Sequence, residues 1–141
     1  MVPRDARYQR EYAHELLAIA EADLESAFLL ATVERKRWEN VYLLAQQSLE
    51  KALKAVLCWH SELVPLVHDI GILVTKIAVF AKPPFGYNLN NLSEYATIRR
   101  YLESKEEYTS HEVVEILKQV KKAVEWCKQQ LASAATHADN S

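Results

Sequence analysis

Glycine is nearly absent from this chain and proline is scarce, with two and four residues respectively among 141. A sandwich or barrel spends these residues on its many tight turns, so a turn-rich β architecture is excluded. Cysteine is equally sparse. Cys58 and Cys127 stand far apart, without the CxxC or Cys/His spacing of a metal site, and read as reduced core thiols rather than a disulfide framework. No apolar run approaches the roughly 20 residues that cross a bilayer. The opening MVPRDARYQREYAHE has no apolar signal core, so the expected location is the cytoplasm, with no membrane partner. Neither sign of charge dominates: the formal net charge is -2 and the pI is about 6.2. Such a chain has no global footprint for nucleic acid, and any contact of that kind must use a local patch.

What remains is apolar and helix-forming. Half of the residues are hydrophobic and 26% are charged, the balance of one folded globular domain. A chain of this length buries a core without staples. The expected fold is all-α, an up-and-down bundle of three long helices and one or two short ones over residues 1–132, with a flexible tail from Ser133 to Ser141.

In the first segment Tyr12, Ala13, Leu16, Ile19, Ala20, Leu24, Ala27, Leu30 and Ala31 recur at three- and four-residue spacing, which predicts one buried face. Asp23 falls inside that stripe. It either meets a cation or a helix N-terminus, or reaches water from the margin. The second segment, about Arg37 to Glu62, turns Val41, Leu44, Ala45, Ser48, Leu49, Ala52, Ala55, Val56 and Trp59 inward. Its small central residues let a neighbouring helix approach closely, which predicts antiparallel pairing across Thr32 to Lys36. Gln46, Gln47, Glu50, Lys51 and Lys54 read as a solvated face, with Glu50 and Lys54 in the favourable i,i+4 order.

A shorter helix is expected from His68 to Ala81, stopped by Pro83-Pro84, with one or two further turns over Leu89 to Ala96. Asp69 is read as the cap of that shorter helix, and His68 as securing the loop before it. The last helix is placed from about Thr109, where Glu112 completes a capping box, and its stripe is Val113, Ile116, Leu117, Val120, Val124, Cys127 and Leu131. Leu43, Leu57 and Trp126 lie off the stripes and suggest a self-association face.

Several of these segments together resemble the HEPN family, the higher-eukaryote and prokaryote nucleotide-binding domains. They are Ala22-Asp23-Leu24 with Ala27, the run from Ala45 to Ala55 (AQQSLEKALKA), Pro65 followed by His68-Asp69-Ile70 and Leu73, and Arg99-Arg100-Tyr101 before the last helix. The resemblance spans Ala13 to Leu131. It implies a helical bundle, usually a homodimer, in one of two settings. One is a partner of a separate minimal nucleotidyltransferase, helping to bind nucleotide. The other is a metal-independent ribonuclease, often the toxin of a toxin-antitoxin pair, in which Arg and His are spaced as R-x4-6-H.

This sequence departs from the ribonuclease pattern. The window after Arg99 or Arg100 holds Ser104, Lys105, Glu106 and Glu107, and the next histidine, His111, is too distant. RNA cleavage needs a proton-exchanging group beside a phosphate-binding cation, and only the cations are in place. The expected function is therefore a binding module without a complete active site, with Arg99, Arg100, Tyr101, Lys51 and Lys54 as nucleotide or phosphate contacts. Asp23, His68 and Asp69 are structural or site residues. The alternatives are a ribonuclease with Arg100 stabilising the phosphate and a divergent proton-transfer group, and a purely structural dimer. No cofactor and no metal is expected, since no glycine-rich phosphate loop or ligand spacing occurs.

Overall fold

The computed structural model describes residues 3–66, 68–83 and 110–139, with side chains for 9–66, 68–83 and 110–132. Among the described residues the helices are α1 (Pro3–Thr32), α2 (Trp38–Trp59), α3 (Ile70–Ile77) and α4 (Ser110–Asp139), and no strand occurs. The chain is all-α, as its shortage of turn residues implies. Leu89 to Ala96, Thr109 and Arg99-Arg100-Tyr101 lie outside the described residues. Helix α4 continues through Ser133 to Asp139, the stretch assigned to a tail on sequence.

Helices α1 and α2 run antiparallel. The Cys58 thiol donates to the carbonyl of Gln9 at 3.0 Å and the Ser48 hydroxyl to that of Ala20 at 2.6 Å, so α2 descends as α1 rises. Ala45, Ala52 and Ala55 share the Ser48 face and are fully buried, as are Ala13, Ala20 and Ala27 of α1. Small side chains on both helices allow this approach. Trp59 closes the open end, with Arg10 4.8 Å above its ring and the edge of His14 at 5.2 Å. The connection is tied by Thr32 Oγ1 to the Leu29 carbonyl and by Lys36 Nζ to the Val33 carbonyl.

The inward face of α1 is rotated from the sequence expectation. Leu17 is buried with Leu16 and Leu24, whereas Tyr12 and Ile19 are 51% and 46% exposed. The alanines that admit α2 set the face, and the larger residues beside them turn outward. Helix α2 is covered on nearly all sides. Leu57 is fully buried, and Trp126 packs partly against the core, so of the self-association face expected from Leu43, Leu57 and Trp126 only Leu43 is exposed, at 43%. Gln46 and Glu50 are also buried, which corrects the reading of that side as solvated.

Helix α3 is shorter than the expected His68 to Ala81. Ile70, Leu73 and Ile77 bury one side of it, and the chain then turns through Phe80 and Ala81 amides donating to the Ile77 carbonyl. Helix α4 buries Val113, Leu117, Val120, Ala123, Val124, Cys127 and Leu131, while Ile116 is half-buried. Each fully buried Leu or Ile here contributes about 2 kcal/mol of apolar transfer.

Candidate functional site

The end of α2 decides where the next loop goes. Ser61 has φ 60°, the Glu62 amide donates to the Leu57 carbonyl at 2.9 Å and the Ser61 amide to that of Cys58 at 3.0 Å. This is a Schellman ending with serine where glycine is favoured. It turns the chain back along α2, so that His68 reaches Glu50, 18 residues earlier, before Asp69 starts α3. The Asp69 carboxylate accepts the Ile72 amide at 3.2 Å as N-cap.

Glu50 is the centre of this arrangement. Its Oε1 lies 2.8 Å from Lys54 Nζ and 2.6 Å from His68 Nδ1. The Glu50 side chain is 10% exposed and that of Lys54 15%, whereas that of His68 is 66% exposed. An ionised carboxylate can only accept, so Nδ1 carries the proton and donates it. In the neutral ring the lone pair then resides on Nε2, the nitrogen that does not meet Glu50. A carboxylate buried without partners is expelled or neutralised, and here two donors hold it.

At the next position of the same helix Lys51 Nζ meets Asp23 Oδ2 of α1 at 2.7 Å, with side-chain exposures of 33% and 21%. Of the two alternatives for Asp23, the cation partner is the one present. Gln46 is 2% exposed, and its Oε1 has no hydrogen-bond partner among the described residues. The structure thus brings Lys54 and His68 together on Glu50 and joins Lys51 to Asp23. Arg99, Arg100 and Tyr101 remain outside the described residues.

Glu50 was missed as a site residue. The signal was present: Leu53 and Leu57, three and seven positions on, form a second apolar stripe through position 50. An i,i+4 pair with Lys54 explained Glu50 adequately as a surface residue and hid that stripe.

Other features of the described residues offer less chemistry. A cleft of ≈ 240 Å³ lined by Leu57, Glu62, Leu63, Lys76, Val79 and Phe80 is smaller than ordinary ligand pockets. Burial pushes the Cys58 thiol up and the Cys127 thiol far above its ordinary range, so neither is a ready nucleophile. His60 packs on the Phe80 ring at 4.3 Å. Its partial burial lowers its proton affinity, Glu62 opposes this and Arg10 adds to it. Among the described residues no three His, Cys, Asp or Glu side chains are grouped to hold a metal, and no helix is long and apolar enough to cross a membrane.

The family model for the HEPN domain matches residues 13–130, and the chain belongs to that family. No curated protein and no solved structure matches it.

Proposed function

We propose that this HEPN domain is a binding module: a cytoplasmic homodimer that associates with a separate minimal nucleotidyltransferase and contributes phosphate contacts to a bound nucleotide. It has no complete active site alone. The observation that carries this reading is a set of nitrogen donors on α2 and the loop after it, each paired with a carboxylate: Lys51 with Asp23, and Lys54 and His68 with Glu50. Donors held in place lose less freedom on meeting a phosphate than free surface lysines do. Arg99, Arg100 and Tyr101 remain phosphate contacts expected from the sequence, since guanidinium forks suit phosphate oxygens. The ion pairs cancel the lysine charges, so recognition depends on directed hydrogen bonds. Titration with ATP and with a nucleotidyltransferase partner tests the reading, and Arg99→Ala/Arg100→Ala is expected to weaken one or both at least tenfold. Unchanged affinities for both would remove it.

One observation favours a second reading, the metal-independent ribonuclease. The carboxylate-held imidazole of His68 is a proton-exchanging group of the kind absent after Arg100. Cleavage of mixed RNA in EDTA by wild type, abolished in Arg99→Ala/Arg100→Ala, would make this reading primary, with a toxin role to be sought.

A further inference from the structure

Two descriptions compete for the pairing of Glu50 with His68. The bland one is a tether that fixes the loop between α2 and α3. A tether needs no charge, however, and an apolar contact would fix the loop without burying a carboxylate. Desolvating an ion costs several kcal/mol before its partners offset the penalty. The distribution of exposure is also informative. The carboxylate is nine-tenths buried and the side chain it holds is two-thirds exposed, so the ordered end of the pair lies inside while most of the ring meets solvent.

The Lys54 ammonium shares Glu50 Oε1 with the ring, and two of its three N–H donors are left over from that bond. The ring and the ammonium are thus anchored on one buried carboxylate oxygen, and Nε2, the ring nitrogen that does not meet Glu50, can donate to an oxyanion when the ring is protonated. The same Nε2 accepts a proton from a hydroxyl when the ring is neutral.

We infer that His68 contacts the phosphate of the bound ligand through Nε2, with Glu50 as the positioning residue that sets the ring. The inference rests on the phosphate-binding reading above and adds a contact to it. The phosphate belongs either to a free nucleotide or to an RNA backbone, and the two arms of the experiment separate these sources.

The full chain is titrated with ATP in one arm and with a uridine oligoribonucleotide in the other. The His68 ring is followed by long-range proton-nitrogen NMR, and affinities are measured in parallel. The informative pair of variants is His68→Asn and His68→Gln. Asparagine places an amide nitrogen near Nδ1 and keeps the bond to Glu50, while glutamine places one near Nε2 and gives that bond up. The expected result is a saturable shift of the wild-type ring with at least one ligand. His68→Asn should melt as wild type does and bind that ligand at least fivefold more weakly. His68→Gln should bind within about threefold of wild type and melt earlier.

A ring that does not shift at saturating concentrations of both ligands overturns the inference, as does His68→Asn binding as tightly as wild type. If either ligand binds and Arg99→Ala/Arg100→Ala weakens it while His68→Asn does not, only the His68 contact fails. If wild type binds neither ligand nor a nucleotidyltransferase, the broader reading fails with it.

Discussion

The two sides of α2 solve opposite problems. Toward α1 the helix presents Ala45, Ser48, Ala52 and Ala55 to a partner of the same kind, and the Ser48 hydroxyl meets a backbone carbonyl. Toward the returning loop it presents Glu50 and Lys54, and a histidine completes the packing. The first seam is dry and specified by volume. The second is specified by charge and hydrogen-bond direction, which costs desolvation and contributes little net stability. The polar side is also the side that carries the proposed His68 contact, so the two seams can be perturbed separately.

Substitutions break or sharpen this comparison, and the largest effect belongs on the dry seam. Ala52→Leu forces three extra carbons between α1 and α2 and is expected to cost about 3 kcal/mol in denaturant unfolding. Lys54→Met leaves the buried Glu50 held by His68 among the described residues, at a cost of about 2 kcal/mol. The double variant Glu50→Leu/Lys54→Met should recover most of that loss, because it removes the charge together with its partner. If Ala52→Leu proved milder than Lys54→Met, the division of labour drawn above would be reversed.

Smaller effects probe the frame around the polar side. Ser61→Gly should stabilise by about 0.7 kcal/mol, since glycine holds φ 60° without the crowding of a Cβ. Destabilisation would mean that the Ser61 side chain contributes more than its backbone strain costs. Lys51→Ala breaks a part-exposed pair with Asp23 and should cost less than about 1 kcal/mol, read as a shift in urea midpoint at unchanged slope.

The smallest expected effect is at His60. Its proton affinity is lower in the folded chain, so the unfolded chain protonates first and stability falls as pH drops below the ordinary histidine range, about 6.5. Above that range the contribution is fully present. His60→Gln should therefore flatten the acid side of the stability profile between about pH 6.5 and 5, and an unchanged slope there would show that other groups set it.

Much of the fold was legible. Scarce glycine and proline point to helices, the alanine-rich middle of α2 points to its close neighbour, and Asp69 sits in front of an apolar run as a cap should. Periodicity was less informative where a helix is covered on nearly every side. A single-stripe reading of α2 left Leu57 and Glu50 outside, because charge and an i,i+4 partner are the usual marks of a surface. On α1 the converse happened, and Tyr12 and Ile19 were counted inward from their spacing although neighbouring alanines set the contact. The candidate site was half legible. Lys51, Lys54, Asp23, His68 and Asp69 were visible from the family resemblance, but the carboxylate that holds His68 lies 18 residues away, a distance that only the Ser61 turn closes.

The central claim is that Glu50 sets the His68 ring so that Nδ1 is protonated and Nε2, the nitrogen that does not meet Glu50, carries the lone pair. The most direct test is a long-range proton-nitrogen NMR spectrum of the histidines at a pH where the ring is neutral, with Glu50→Gln to assign the coupling. The account predicts the Nδ1–H tautomer for wild-type His68 and a changed tautomer balance in Glu50→Gln. A wild-type ring found as the Nε2–H tautomer, or one indifferent to Glu50→Gln, would contradict it.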